Sequence, residues 1–178
     1  MSDRFYDYSS FSYDRLKKIV FGWNGLGGYH GLLIKKIGEL IPSKVSVLDV
    51  GCGLCHLYEA IKDKVDLYVG VDKDPRIIKW AKERWPNLKI LQRNVSDLNG
   101  LDIFDVVTAI GLYSGEPEKP NGIEQMLNHT KIKLIITFFR KTETGTPPFL
   151  LKLTGKWKKY HKIPHNIDEK LVIMEIYK

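Results

Sequence analysis

Two short runs of this chain combine residue types that suit a nucleoside: Val47-Leu48-Asp49-Val50-Gly51-Cys52-Gly53-Leu54 and Val69-Gly70-Val71-Asp72. The first reads as a buried strand that breaks into a glycine turn and then a helix. The second reads as the neighbouring strand, ending in an acid. Gly51 and Gly53 allow a tight turn and let a ligand approach main-chain N–H groups that a side chain would shield. Asp72 follows Gly51 by 21 residues, near the roughly 20-residue interval at which an acid after the second strand of a βαβ unit accepts hydrogen bonds from ribose hydroxyls. The third glycine of the dinucleotide fingerprint is missing, since the run continues Leu54-Cys55-His56. A nicotinamide cofactor therefore fits less well and stays as an alternative.

With its acid two residues before the first glycine, Leu48-Asp49-Val50-Gly51-Cys52-Gly53 resembles motif I of the class I S-adenosylmethionine-dependent methyltransferases. Gly70-Val71-Asp72-Lys73-Asp74-Pro75 and Ile77 to Lys82 are similar to the family's second strand and the helix after it. Gln92 to Leu98 and Phe104-Asp105-Val106-Val107 are similar to its adenine-side loop and fourth strand, so the resemblance covers about residues 44–110. It implies S-adenosylmethionine as cofactor. The amino-acid part would meet Gly51, Cys52 and Gly53, with Asp49 supporting the turn from below, and Asp72 would hold the ribose. Lys73 would lay its stem along the adenine or else be solvated. Asn94 stands where the family commonly has Asp; its amide oxygen can accept from the adenine amino group and the Val95 N–H can donate to a ring nitrogen, with Asp97 as partner if the loop is shifted. Ile110 and Leu112 would line the cleft. Cys55 replaces a residue that in the family is usually glycine or small.

Methyl transfer asks little of side chains, because the sulfonium is already activated and holding an acceptor in line supplies much of the acceleration. A base is needed when the acceptor must lose a proton early, as a hydroxyl must. His30, Tyr113 and Glu116 are the candidates, each with a structural alternative. Ala109 to Ser114 lacks the Asn-Pro-Pro-Tyr or Asp-Pro-Pro-Tyr signature that in the family accompanies methylation of planar amino groups. Cys52 and Cys55 form a C-x-x-C at a helix start, where a redox role competes with simple packing in the turn. Gly22 to His30 contains four glycines among aromatics, which suggests a flap with Trp23 and Tyr29 as covering residues.

Those side chains need a frame. Apolar periodicity predicts strands near 45–50, 67–71, 88–92, 104–110, 133–139, 157–163 and 171–177, and helices near 54–63, 75–85 and 121–129, after a helical and aromatic segment reaching about residue 42. Pro75 suits a first helical turn with Asp74 as N-cap. Alternation of strands and helices implies an α/β, doubly wound parallel sheet, and the short 164–168 connection implies that the last two strands are antiparallel. Residues 1–178 are expected to form one methyltransferase domain, with 1–42 as an N-terminal aromatic and lid segment and 43–178 as a Rossmann-like core.

The 178 residues carry a net charge of +7, and 43% are apolar, as in ordinary soluble domains. The longest relevant apolar run, Leu134 to Phe139, has strand length, so no membrane association and a cytoplasmic location are expected. Nothing in the pattern forms a set of metal ligands, and the oligomeric state is not legible. Between Lys131 and Lys162 there are nine basic residues and one acid, Glu143. Lys156-Trp157-Lys158-Lys159-Tyr160-His161-Lys162 interleaves cations with aromatics, as an RNA surface does, but lysines also protect edge strands from pairing. The reading is a methyltransferase acting through O or N on a small or medium-sized acceptor. Its alternatives are an RNA methyltransferase, a catalytically silent S-adenosylmethionine-binding partner subunit and a nicotinamide oxidoreductase.

Overall fold

The computed structural model describes residues 11–15, 28–113, 120–140, 158–165 and 169–178. Its elements are α1 (Gly28–Leu40), β1 (Val45–Val50), α2 (His56–Ile61), β2 (Val65–Asp72), α3 (Pro75–Arg84), β3 (Lys89–Gln92), β4 (Phe104–Tyr113), α4 (Pro120–Asn128), β5 (Thr130–Arg140), β6 (Lys158–His165) and β7 (Glu169–Tyr177). All seven strands share one sheet in the order β3-β2-β1-β4-β5-β7-β6. The first five strands pair in parallel, while β7 runs antiparallel to both β5 and β6. From β1 the chain winds outward to β2 and β3, then returns to place β4 on the other side of β1. That reversal leaves a crevice at the carboxyl ends of β1 and β4.

β1 is nearly continuous in apolar residues because both its faces are covered. Val45 and Val47 enter one core with Leu33 and Ile37 of α1, Ile41 just after it, Leu57 and Ile61 of α2, and Ile77, Trp80 and Ala81 of α3. Leu48 and Val50 enter the other, with Leu98, Phe104 and the α4 residues Ile123, Met126 and Leu127. The period of two along the strand divides the layers.

α3 forms where expected. The Asp74 side chain accepts the Arg76 N–H, Pro75 occupies the first turn, and Ile77, Ile78, Trp80 and Ala81 make the buried stripe. Arg76 also donates to the Phe11 carbonyl at 2.8 Å, and the Trp80 ring N–H donates to the Tyr13 hydroxyl at 3.0 Å, so residues 11–15 lie on the first turns of this helix. At the C-terminus of α1, Lys64 donates to the carbonyls of Gly38 and Ile41, and Lys133 donates to that of Leu40. These lysines satisfy carbonyls that a helix end leaves without partners. Lys64 precedes β2 and Lys133 lies near the start of β5, so the C-terminus of α1 sits at the amino edge of the sheet. At about 1.5 Å per residue, α1 rises about 20 Å and its first turn reaches the carboxyl edge.

The expected flap is corrected in part by this helix. Residues 28–30 are the first turn of α1 rather than a glycine loop, because the apolar stripe that packs α1 on the sheet carries the helix back to Gly28. Residues 22–27, with Trp23, lie outside the described residues.

Candidate functional site

β1 ends in a turn whose backbone is left-handed three times: Gly51 has φ 73°, Gly53 φ 54° and Cys55 φ 58°. The Gly51 and Cys52 N–H groups both donate to the Val71 carbonyl, at 2.8 and 3.0 Å, and Cys55 N–H closes the turn on the Cys52 carbonyl at 2.8 Å. The turn is therefore hung from the end of β2. A Cβ at Gly51 would stand 3.2 Å from Leu112 Cδ1, whereas one at Gly53 would meet nothing within 4 Å. Gly53 thus borders open space, where a side chain would stand in the way of a ligand. Cys55 takes the left-handed conformation that glycine adopts without penalty, at a cost of about 1–2 kcal/mol. Its side chain is fully buried.

Asp72 stands at the carboxyl end of β2, beside that opening. One carboxylate oxygen accepts the Gly53 N–H at 3.2 Å, and the other accepts the Asp74 N–H at 3.0 Å. Burial pushes its pKa up, and the two backbone N–H groups oppose the rise. Each oxygen retains a further lone pair for a ribose hydroxyl. Asp74 rather than Asp72 caps α3, which leaves Asp72 to the crevice.

Asp49 does not support the turn from below as expected. Its carboxylate accepts the Tyr68 hydroxyl at 2.5 Å and the Thr108 hydroxyl at 2.7 Å, which ties β1 to β2 and β4. Burial raises its pKa to about 6, against the two hydroxyl donors. The Gly51 and Cys52 N–H groups go to Val71 and the Gly53 N–H to Asp72, while Asp49 takes its two hydroxyls from the neighbouring strands.

The adenine-side loop also departs from expectation. Asn94 Oδ1 accepts the Ser96 N–H at 3.1 Å and the Ser96 hydroxyl at 3.0 Å, so the oxygen assigned to adenine is engaged within its own turn. Asp97 is exposed, lies 4.0 Å from Arg93 and accepts from Asn99, directed along the loop rather than to a base. Val95 packs against the α4-side core. Lys73 is exposed, and its carbonyl accepts from Gln92 at 3.4 Å. Ile110 packs on the core beneath α1 to α3 and Leu112 on the opposite core, over Gly51.

The cysteine pair is not arranged for redox chemistry. Both thiols are buried, and Cys52 is pushed well above the ordinary thiol range by its hydrogen bond with Cys55 and by burial. A thiolate is the reactive form, so this environment suppresses reactivity. Both sulfurs rest against Gly70, where an added Cβ would stand 2.9 Å from Cys52 Sγ. Gly70 is thus required by the close approach of turn and strand, a need that the Cys-Gly-x-Cys sequence alone does not reveal.

Tyr29 and His30 belong to the first turn of α1, and Tyr113 is the last residue of β4. Both backbone segments reach the carboxyl edge; the side chains of these three lie outside the described set, as does Glu116 altogether. Of the nine cations between 131 and 162, Lys131 pairs with Asp105 at 3.2 Å and Lys133 with buried Glu175 at 2.6 Å. β6 is an edge strand, as the lysine-protected reading requires. Among the described residues no helix is long and apolar enough to cross a membrane.

A methyltransferase-domain family model matches residues 47–133. A protein of Invertebrate iridescent virus 6 named as a methyltransferase is 32% identical over 71 residues, which cover 39% of this chain and 27% of the viral protein. The match therefore spans about a quarter of that curated relative. Magnesium protoporphyrin IX methyltransferase from Synechocystis PCC 6803, solved with bound S-adenosylmethionine, superposes with a TM-score of 0.73 at 15% identity, covering 96% of this chain and 93% of that one. The N-methyltransferase NodS from Bradyrhizobium japonicum, with S-adenosylhomocysteine, gives 0.64 at 14% identity, covering 93% and 97%. The matched stretch begins inside β1 and ends inside β5, enclosing the glycine turn and Asp72; over those residues the chain is similar to the methyltransferase domain family, and its sheet has the fold of these class I methyltransferase structures.

Proposed function

We propose that this protein transfers the methyl group of S-adenosylmethionine to an oxygen or nitrogen of a small or medium-sized acceptor, with residues 1–178 working as one cytoplasmic domain. The observation that carries the reading is the junction of Gly53 with Asp72. A left-handed glycine with open space at its missing Cβ donates its N–H to a carboxylate at the end of the adjacent strand. Such a junction holds a nucleoside by its ribose and admits the rest of the molecule over the turn. When bound, the cofactor supplies an electrophilic methyl on a positively charged sulfur. The chain's own work is to orient it: Asp72 receives the ribose hydroxyls, the 51–53 turn faces the amino-acid part, and Leu112 walls the crevice from β4.

For a hydroxyl acceptor a base is required, and His30 and Tyr113 fit by backbone position, at the carboxyl edge on α1 and β4, with Glu116 following Tyr113 by three residues. An acceptor of modest size agrees with the Synechocystis neighbour, whose name gives magnesium protoporphyrin IX. The RNA reading loses support because two cations of the basic segment are paired within the fold. The test is incubation with methyl-labelled cofactor and cell extract, with and without ribonuclease. Label in a ribonuclease-insensitive small-molecule fraction is the expected result. Label in RNA replaces the acceptor assignment, and no label unless a second chain is supplied favours the silent-subunit alternative.

A further inference from the structure

The carboxyl end of β4 contains an irregularity that neither the glycine turn nor Asp72 explains. Ala109 pairs with Ile136 and Tyr113 with Phe138, so four residues of β4 cover the length of two on β5. The slack falls at Ile110-Gly111-Leu112, just beyond the regular pairing of Val106 to Thr108 with β1. Gly111 takes it up with φ 66°, and its missing Cβ faces nothing within 4 Å. A bulge takes a backbone N–H out of the ladder and so needs another acceptor. Here the acceptor is a side chain: the Gly111 N–H donates to the hydroxyl of Thr137 on β5 at 2.8 Å, and Thr137 is fully buried. The result of the bulge is to bring Leu112 back over Gly51, with Leu112 Cδ1 3.2 Å from the Cβ position of that glycine.

We propose that Thr137 is a positioning residue of the cofactor site: its hydroxyl holds the β4 bulge in register, and the bulge in turn sets Leu112 against the glycine turn and keeps the crevice open at Gly111. The inference rests on the methyltransferase reading for the identity of the ligand, but the clamp itself is a property of the unliganded chain. A hydroxyl at position 137 is required for a physical reason. Valine is close to threonine in shape and β-propensity but offers no acceptor, so the bulge would lose the Thr137 tie while the core stayed filled.

The test uses the full chain and three variants. Thr137→Val removes the acceptor, Thr137→Ser restores it, and Thr130→Val is the control. Thr130 is equally buried on the same strand, and its hydroxyl donates to the Met126 carbonyl at 2.7 Å, at the strand's other end. Hydrogen exchange at the Gly111 amide should be protected in wild type and Thr137→Ser, and accelerated in Thr137→Val alone. Calorimetric titration with S-adenosylhomocysteine, well below each melting temperature, should show about tenfold weaker binding for Thr137→Val, a difference of about 1.4 kcal/mol. Thr137→Ser and Thr130→Val should bind as wild type. A Gly111 amide that exchanges freely in wild type overturns the clamp, whatever binds. Equal affinity in Thr137→Val and wild type overturns its role at the site, as does an equal loss in Thr130→Val. If wild type fails to bind S-adenosylhomocysteine, the methyltransferase reading falls, and the exchange experiment alone decides the clamp.

Discussion

Replacing Gly53 with alanine separates what this turn costs the fold from what it does for a ligand. At φ 54° an alanine is strained, but its methyl would meet nothing within 4 Å in the protein. The expected loss of stability is therefore only the backbone term, about 1–2 kcal/mol, which lowers the melting temperature of a chain this size by roughly 2–8 °C. Gly100 supplies the control: it has φ 78°, an equally open Cβ position, and lies in the crossover leading into β4, away from the turn. Gly100→Ala should cost the fold about as much. On the proposed function only Gly53→Ala places a methyl in the path of the ligand, so S-adenosylhomocysteine should bind at least about tenfold more weakly, a difference of about 1.4 kcal/mol or more, while Gly100→Ala binds normally. Thermal unfolding and calorimetric titration of both variants give the comparison. Equal affinities in the two would refute the claim that the open side of Gly53 is where the ligand sits.

Asp72→Ala should lower cofactor affinity by roughly 1.5–3 kcal/mol and also lower stability, since two backbone N–H groups lose their acceptor; titration and melting read both, and unchanged affinity would remove Asp72 from the site. Asp49 sits near pKa 6 in the fold, above its ordinary 3.8, so the native chain holds a proton that the unfolded chain has lost, and stability falls as pH rises from about 4 to 6 and then levels, by up to about 3 kcal/mol. Asp49→Asn should flatten that slope in urea unfolding series; a variant with the wild-type slope would show that another group titrates. Lys133→Met leaves Glu175 charged and buried, at a cost of about 3–5 kcal/mol by denaturant unfolding, and adding Glu175→Leu should recover most of it. Both cysteines should resist a thiol reagent in the folded protein and react once unfolded; rapid native-state labelling would contradict their burial.

The strands and helices of the core were legible because apolar periodicity and local chemistry agree there: Asp74-Pro75 opens a helix by capping, and the valines and leucine of β1, on both sides of the pleat, announce burial on both faces. The positive φ of Gly51 and Gly53 and the place of Asp72 at the end of β2 were legible because their requirements are local, a tight turn and a fixed interval. Asp49 misled because its partners, Tyr68 and Thr108, stand on other strands, and no spacing within the motif predicts them. Asn94 misled for the opposite reason: its Ser96 contacts form a common local turn that competes with the ligand reading. Gly70, Gly111 and Thr137 could not be assigned from the sequence, because each acts through an approach between strands whose register only the fold supplies. Lys131 and Lys133 counted towards the basic segment, and their pairing was not legible because Asp105 and Glu175 are distant along the chain.

The central claim is that the Gly51–Gly53 turn and Asp72 form a site for S-adenosylmethionine. Its most direct measurement is a calorimetric titration of the full chain with S-adenosylmethionine, S-adenosylhomocysteine and NAD, each repeated on Asp72→Ala. One equivalent of either sulfur nucleoside should bind, more weakly in the variant, with no heat from NAD. Binding of NAD in their place, or binding of the sulfur nucleosides unaffected by Asp72→Ala, would contradict the account.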